Sequence, residues 1–313
     1  MNTPTALRDT TLPLNHGDGA MPAVGFGTLI ADRAKARQAF KLALEAGYRH
    51  FDCAERYRNE DVVGEAFAEA IAAGIVRRKD LFVTTKLWNT NHRPERVEAA
   101  LDASLERLGV DYADAYLIHT PFAFQPGDDQ DPRDAQGQPI YDSGVTLIDT
   151  WRAMERLVDK GKCRAIGLSD ITLDKLKEIV SLARITPAVV QVECHPYLPE
   201  WELLDVCQQH GIVLLAFAPL GHGMEPRITD DATIRDIAVR TGLTPAQVAL
   251  SWAAQRGTAF LTTSTSAAHI AENIGIDTLP EDAMRDMRDG IATRIRLNDV
   301  VTTGVPGFIP RRA

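Results

Sequence analysis

Four cysteines in 313 residues, no two at Cys-x-x-Cys spacing, leave little basis for a disulfide framework or a cysteine-ligated metal. Cys53, Cys163, Cys194 and Cys207 stand mostly in or beside apolar strand patterns, which is the pattern of buried, reduced thiols in a cytosolic protein. Positive charge is also short. Lys and Arg number 34 against 43 Asp and Glu, for a net charge of -9, and they are scattered. A nucleic-acid surface needs them clustered, so nucleic acid is excluded as a partner. No charged-then-apolar stretch opens the chain at Met1, so no signal peptide is expected and the expected localisation is cytoplasmic. The longest apolar runs are of strand length, too short to span a bilayer, and no membrane partner is expected. His50, His119, His195, His210 and His222 lack metal-ligand spacing, and no Gly-x-Ser-x-Gly elbow is present. No metal site is predicted. Gly25-Phe-Gly-Thr-Leu-Ile30 offers two glycines after a strand, but no third glycine and no acidic ribose partner at the right distance. No solenoid repeat and no linker divides the chain, and residues 1–313 read as one domain.

What the chain does have is alternation. Apolar, strand-like runs occur at 24–26, 51–53, 81–85, 115–119, 164–168, 189–194, 213–218 and 259–263. Between them lie helical periods: Ala36, Ala39, Phe40, Ala43 and Leu44 ending at Gly47, Val97, Leu101, Leu105 and Leu108 ending at Gly109, and Leu173, Leu176, Val180 and Ala183. Eight nearly all-apolar strands alternating with helices predict a closed parallel α/β barrel. Two short extended runs around Gly17-Asp18-Gly19 predict a β-hairpin ahead of it. The polar stretch 125–139 and the tail 298–313 are long irregular segments placed to cover the mouth of such a barrel.

Chemistry-bearing side chains fall at successive strand ends, where a parallel barrel meets its ligands. Asp52 closes one strand, Tyr57 follows one loop later, Lys86 ends the next strand and His119 the one after. A phenol has a pKa of about 10 and needs help to act as an acid at neutral pH. The expectation is that Lys86 lowers the pKa of Tyr57, Asp52 holds Lys86 charged and oriented, and His119 fixes the angle of a substrate oxygen.

These residues sit within a longer series: Gly25-Phe-Gly-Thr28, Gly47-Tyr-Arg-His-Phe-Asp52-Cys-Ala-Glu-Arg-Tyr57-Arg-Asn-Glu60, Thr85-Lys-Leu-Trp88, Leu117-Ile-His-Thr-Pro121, Ile166-Gly-Leu-Ser-Asp170, Gln191-Val-Glu-Cys-His-Pro196, Phe217-Ala-Pro-Leu-Gly221 and Ile270-Ala-Glu-Asn273. In order and spacing the series resembles the aldo-keto reductase family over essentially the whole chain. The resemblance implies a (β/α)8 TIM barrel with an N-terminal β-hairpin and long loops at its C-terminal face. It implies an NAD(P)H cofactor across the top and the catalytic tetrad Asp52, Tyr57, Lys86 and His119, with Tyr57 donating the proton in reduction. It also implies cofactor contacts from Gly27, Thr28, Asp52, Ser169, Asp170, Gln191, Phe217, Leu220, Thr263, Ser264, His269, Glu272 and Asn273. Among these, Ser169 and Gln191 would hold the carboxamide, and Glu272 and Asn273 match the adenine end. Leu29, Tyr57, Trp88, His119 and Phe122 would face the substrate, joined by Phe124 and residues 305–309 of the tail.

The chain departs from the family at informative places. Asp170 stands where asparagine is common, and Phe217 where many relatives have a stacking tyrosine. Thr263 and His269 occupy positions at which NADPH-preferring relatives carry lysine and arginine, the cations that neutralise the 2′-phosphate. Their replacement predicts dual or NADH-leaning cofactor use. The stretch from His222 to Ile228 is short for the family, which predicts a more open cleft. The expected partner is a small carbonyl or alcohol substrate, and the expected state a monomer or weak oligomer. The rival reading is a dinucleotide-binding sensor or subunit of the same fold with little turnover. A barrel lyase or isomerase would need a late glycine pair for phosphate or metal-binding carboxylates, and neither is evident.

Overall fold

A computed structural model of the chain describes residues 6–17 and 19–298. It opens with an antiparallel hairpin, β1 (Thr11–Pro13) and β2 (Ala20–Pro22), registered Leu12 opposite Met21. The hairpin is where the sequence predicts it, although Asp18 of its turn lies outside the described residues. Eight parallel strands follow: β3 (Val24–Gly27), β4 (His50–Asp52), β5 (Phe82–Leu87), β6 (Ala113–Ile118), β7 (Cys163–Ser169), β8 (Val189–Glu193), β9 (Val213–Phe217) and β10 (Ala259–Thr262). Neighbours in sequence pair in space, and β10 returns to β3, closing the barrel. The predicted strands are all present, with ends shifted by one or two residues; β4 begins at His50, and β10 stops before Thr263.

Strands walled by helices on one side and by packed side chains on the other must be apolar throughout, and nearly every barrel-strand residue is buried. Alternation along each strand separates two cores. One lies inside the barrel, built from Phe82, Ala115, Leu117, Val189, Leu215 and Leu261, with Met21 of the hairpin packed into it. The other fills the space between strands and helices. Counting by twos from interior positions fixes where the polar residues go. Lys86 shares a face with Phe82, His119 with Ala115 and Leu117, Gln191 with Val189, and Ser169 with Ala165. Lys86, His119 and Ser169 therefore top interior columns at the carboxyl ends of their strands, and Gln191 lies midway along β8.

The helices around the barrel among the described residues are α1 (Arg33–Ala46), α2 (Glu60–Ala72), α3 (Pro94–Leu108), α4 (Leu147–Asp159), α5 (Leu173–Leu182), α6 (Trp201–Gln209), α7 (Ala232–Thr241), α8 (Pro245–Gln255), α9 (Ala267–Ile274) and α10 (Glu281–Asp289). The Asp32 side chain caps α1 by accepting from the amides of Ala34 and Lys35, and Gly47 ends the helix in the left-handed region at φ 103°. The five apolar positions predicted to face inward on α1 are all buried. Helix α5 differs in part: its fully buried residues are Leu176 and Ile179, while Leu173, Val180 and Ala183 pack at the edge of the core. Helices α2 and α3 touch closely at Gly64, where an added Cβ would come within 2.5 Å of the Arg107 carbonyl.

The long connection between β6 and α4 carries two small antiparallel bridges, Phe124 with Tyr141 and Arg133 with Pro139. Ties to the barrel hold it down: the Trp88 Nε1 donates to the Gln130 carbonyl at 2.7 Å, and Arg56 pairs with Asp131. The tail at 299–313, including the expected substrate wall at 305–309, lies outside the described residues.

Candidate active site

Three strand ends and one turn converge at the barrel mouth. Tyr57 closes a 3-10 turn, Glu55–Tyr57, that ends at Arg58 in the left-handed region and brings the phenol back over the ends of β4 and β5. Lys86 Nζ donates to Asp52 Oδ2 at 2.6 Å, to the Cys53 carbonyl at 3.0 Å and to the Tyr57 hydroxyl at 3.1 Å. All three donors of the ammonium are thereby used. Asp52 and Lys86 are both buried, and an unpaired charge there would be costly. Burial works against the charged ammonium, but Asp52 and Tyr57 outweigh it and hold the pKa of Lys86 above its ordinary value. The lysine is a permanent cation.

For Tyr57 the balance runs opposite to the sequence expectation. Burial raises the pKa of the phenol, the positive charge of Lys86 lowers it, and Asp52 raises it again, leaving it pushed up to about 12. The phenol is less acidic than an ordinary tyrosine because desolvation exceeds the Coulomb help. It is therefore fully protonated at neutral pH.

His119 follows β6, its N–H donating to the Leu87 carbonyl at 3.1 Å. Its ring meets Tyr57 edge-on at 5.7 Å and Trp88 edge-on at 5.2 Å. Burial, then the cations Lys86 and Arg56, push its pKa well below the ordinary value, so the imidazole is neutral. His119 Nδ1 is buried without a hydrogen-bond partner among the described residues.

A cavity of about 350 Å³ opens over these groups, walled by Gly27, Thr28, Leu29, Asp52, Tyr57 and His119 on one side and by Ser169, Asp170, Gln191 and Phe217 on the other. A second, of about 810 Å³, shares Leu29, Ala218, His222, Leu261 and Thr263 with it, and extends past Leu220 and Ser264 to His269, Glu272 and Asn273. The predicted cofactor residues are thus gathered along one elongated cleft across the top of the barrel. Its polar groups suit a nicotinamide dinucleotide. Gln191 Nε2 is committed to Asp52 Oδ1 at 2.7 Å, which leaves the amide oxygen as an acceptor facing the cavity residues. Gly27 lets the Thr263 side chain pack against its backbone, since a Cβ there would fall 2.5 Å from Thr263 Oγ1. Thr263 itself donates to the Gly27 carbonyl at 3.0 Å. Of the predicted substrate residues, Leu29, Tyr57 and His119 line the first cavity, with Leu29 60% exposed. Trp88 and Phe122 are not among the residues that line it. Trp88 is buried against His119 and Phe124, and Phe122 clusters with Phe124 and Tyr141 at 5.7 and 5.6 Å.

Several residues at or near the cleft carry no contact expectation from the sequence. His222 and Asn298 both line the first cavity, and His222 Nδ1 and Asn298 Oδ1 meet at 2.8 Å. Arg227 lines the second cavity. Arg56 stacks over Trp88, 5.2 Å from the ring centroid, and its charge is felt by His119. Only for Arg56 was a local signal present, a cation directly before the phenol. His195 lies in a turn just after β8, where it exchanges backbone hydrogen bonds with Leu198.

The model of the Aldo/keto reductase family matches residues 23–290. The chain is 42% identical to aldo-keto reductase family 1 member A1 of Gallus gallus over 264 residues, which cover 82% of this chain and 80% of that protein. It is 41% identical to the proteins of the same name from Rattus norvegicus and Homo sapiens over 271 residues, covering 84% of this chain and 83% of each. The chain belongs to the aldo-keto reductase family. It is an NAD(P)H-dependent oxidoreductase that interconverts aldehydes or ketones and alcohols.

Proposed function

We propose that Tyr57 is the proton donor in carbonyl reduction and that Lys86, Asp52 and His119 prepare it. The observation that carries this is the position of the Lys86 ammonium, 2.6 Å from Asp52 and 3.1 Å from the Tyr57 hydroxyl. A reduced nicotinamide, when bound in the cleft, would supply the hydride. As negative charge grows on the carbonyl oxygen, Tyr57 gives up its proton, and Lys86 stabilises the phenolate that remains. The high pKa of the phenol keeps it loaded as a donor. Neutral His119 has an N–H to offer the same oxygen, and Asp52 keeps Lys86 fixed in place. Ser169, Asp170 and Gln191 would hold the carboxamide, Phe217 would supply an apolar face, and Glu272 and Asn273 would meet the adenine end. Leu29, Trp88 and Phe122 would bound the substrate.

We further infer dual or NADH-leaning cofactor use. Thr263 is a hydroxyl already engaged with Gly27, and His269 is exposed in the first turn of α9. Two charge-assisted phosphate contacts of roughly 1.5–3 kcal/mol each are absent if neither position carries a cation. Four free, buried cysteines support a reducing, cytoplasmic setting, and a monomer or weak oligomer is the proposed state. No helix among the described residues is long and apolar enough to cross a membrane.

Following the absorbance of reduced cofactor against a panel of aldehydes, ketones and α-dicarbonyls tests the catalytic reading. Turnover on part of the panel is expected. Tight cofactor binding with no turnover on any carbonyl would favour the sensor reading instead.

A further inference from the structure

Asp170 is the one departure from the family pattern that changes charge beside the proposed nicotinamide position. It directly follows β7, and its N–H donates to the Gln191 carbonyl at 2.9 Å, which locks it next to the carboxamide-reading residues. The backbone there is left-handed, at φ 52°, a conformation that aspartate and asparagine tolerate better than most residues. The side chain lines the catalytic cavity with Ser169, Gln191 and Tyr57, and on its other side borders a smaller cavity shared with Arg296 and Glu200. Among the described residues, no side-chain hydrogen bond or ion pair engages its carboxyl.

The nearby cations are already taken. Arg296 pairs with Glu193 at 3.1 Å and with Glu200 at 3.2 Å, and Lys86 pairs with Asp52. Asp170 is therefore an acid facing the ligand cleft with no countercharge of its own. A bound oxidised nicotinamide would bring a positive charge next to it, and a reduced nicotinamide would not.

We propose that Asp170 makes the dinucleotide site redox-selective: its ionised carboxylate favours the cationic oxidised nicotinamide over the neutral reduced ring, so pH sets which form the protein holds more tightly. The proposal rests on the reading of Ser169 and Gln191 as the nicotinamide position.

The electrostatics place this effect near neutrality. Burial pushes the carboxyl up, Arg296 pulls it down, Glu193 pushes it up and Lys86 pulls it down, and the outcome is a pKa of about 7. Tyr57, at about 12, and His119, well below its ordinary value, keep their protonation states over that range. By linkage, a ligand that favours the carboxylate lowers its pKa and is bound more tightly when the carboxylate is formed. The amide common at this position in the family carries no charge and offers no such coupling.

The test is to measure Kd for the oxidised and the reduced dinucleotide by fluorescence titration between about pH 6 and about pH 8, in wild type and Asp170→Asn. Groups that meet the phosphates or the adenosine weigh on both forms alike and cancel in the ratio. In wild type the affinity for the oxidised form relative to the reduced form should rise severalfold with pH, up to about tenfold per unit. In Asp170→Asn the ratio should be flat. A flat ratio in wild type, or an unchanged pH dependence in the variant, would overturn this proposal alone. Failure of either dinucleotide to bind would overturn the functional reading as well.

Discussion

The side-chain amide of Gln191 donates to Oδ1 of Asp52 across 2.7 Å, while the other oxygen of Asp52 receives the ammonium of Lys86. The residue proposed to read the nicotinamide is thereby wired to the pair proposed to prepare the proton donor. Gln191→Leu keeps the approximate shape but leaves a buried carboxylate oxygen without its donor. Such an unsatisfied group costs about 1–3 kcal/mol, so the urea midpoint should fall, and cofactor Kd should rise together with a drop in kcat. A change in Kd alone, with kcat and stability intact, would separate the two functions and contradict the linkage.

Lys86→Met removes the countercharge of Asp52. Breaking a buried pair from one side costs about 3–5 kcal/mol, so stability should fall by that order in chemical denaturation. Lys86→Met/Asp52→Leu should recover a good part of the stability and none of the turnover.

Cofactor choice should respond to restoring the family cations. In wild type, kcat/KM for NADH should equal or exceed that for NADPH; a preference for NADPH of about a hundredfold would reject the inference. Thr263→Lys/His269→Arg should move the ratio toward NADPH by at least about tenfold, chiefly through KM for NADPH.

The barrel, and the placement at its mouth of three members of the proposed tetrad, were legible because both follow from local periodicity. Apolar runs with polar ends place Asp52, Lys86 and His119 on interior columns whatever the rest of the chain does. Tyr57 was legible through its fixed offset from Asp52. The state of that phenol was not, because its sign depends on how far burial outweighs a neighbouring ammonium, a sum over residues distant in sequence. His222 and Asn298 were missed for the same reason: 76 residues apart, they meet only because two loops return to the same side of the cleft. Helix α5 was misassigned at its edge because Ile179 and Val180 both fit the apolar period, and packing chose the first for full burial.

Glu193 provides a pH-dependent test of the structure around the cleft. Its carboxylate accepts from His195, Leu297, Asn298 and Arg296. Burial raises its pKa, but hydrogen bonds from His195, Asn298 and Leu297 and the charge of Arg296 bring it down to about 2. A depressed carboxyl contributes stability that is present above the unfolded value and is lost as pH falls toward the folded one. The stability difference between wild type and Glu193→Gln should be full at neutral pH and shrink steadily from about pH 4.5 toward about pH 2. A difference constant across that range would show that the charge contributes nothing.

The central claim is that the proton in carbonyl reduction comes from Tyr57. The most direct measurement is a single turnover of Tyr57→Phe carrying pre-bound reduced cofactor, with binding followed by fluorescence and hydride transfer by absorbance. The account predicts cofactor affinity close to wild type and a rate of hydride transfer lower by about 10²–10⁴-fold. Hydride transfer at the wild-type rate from that complex would contradict it.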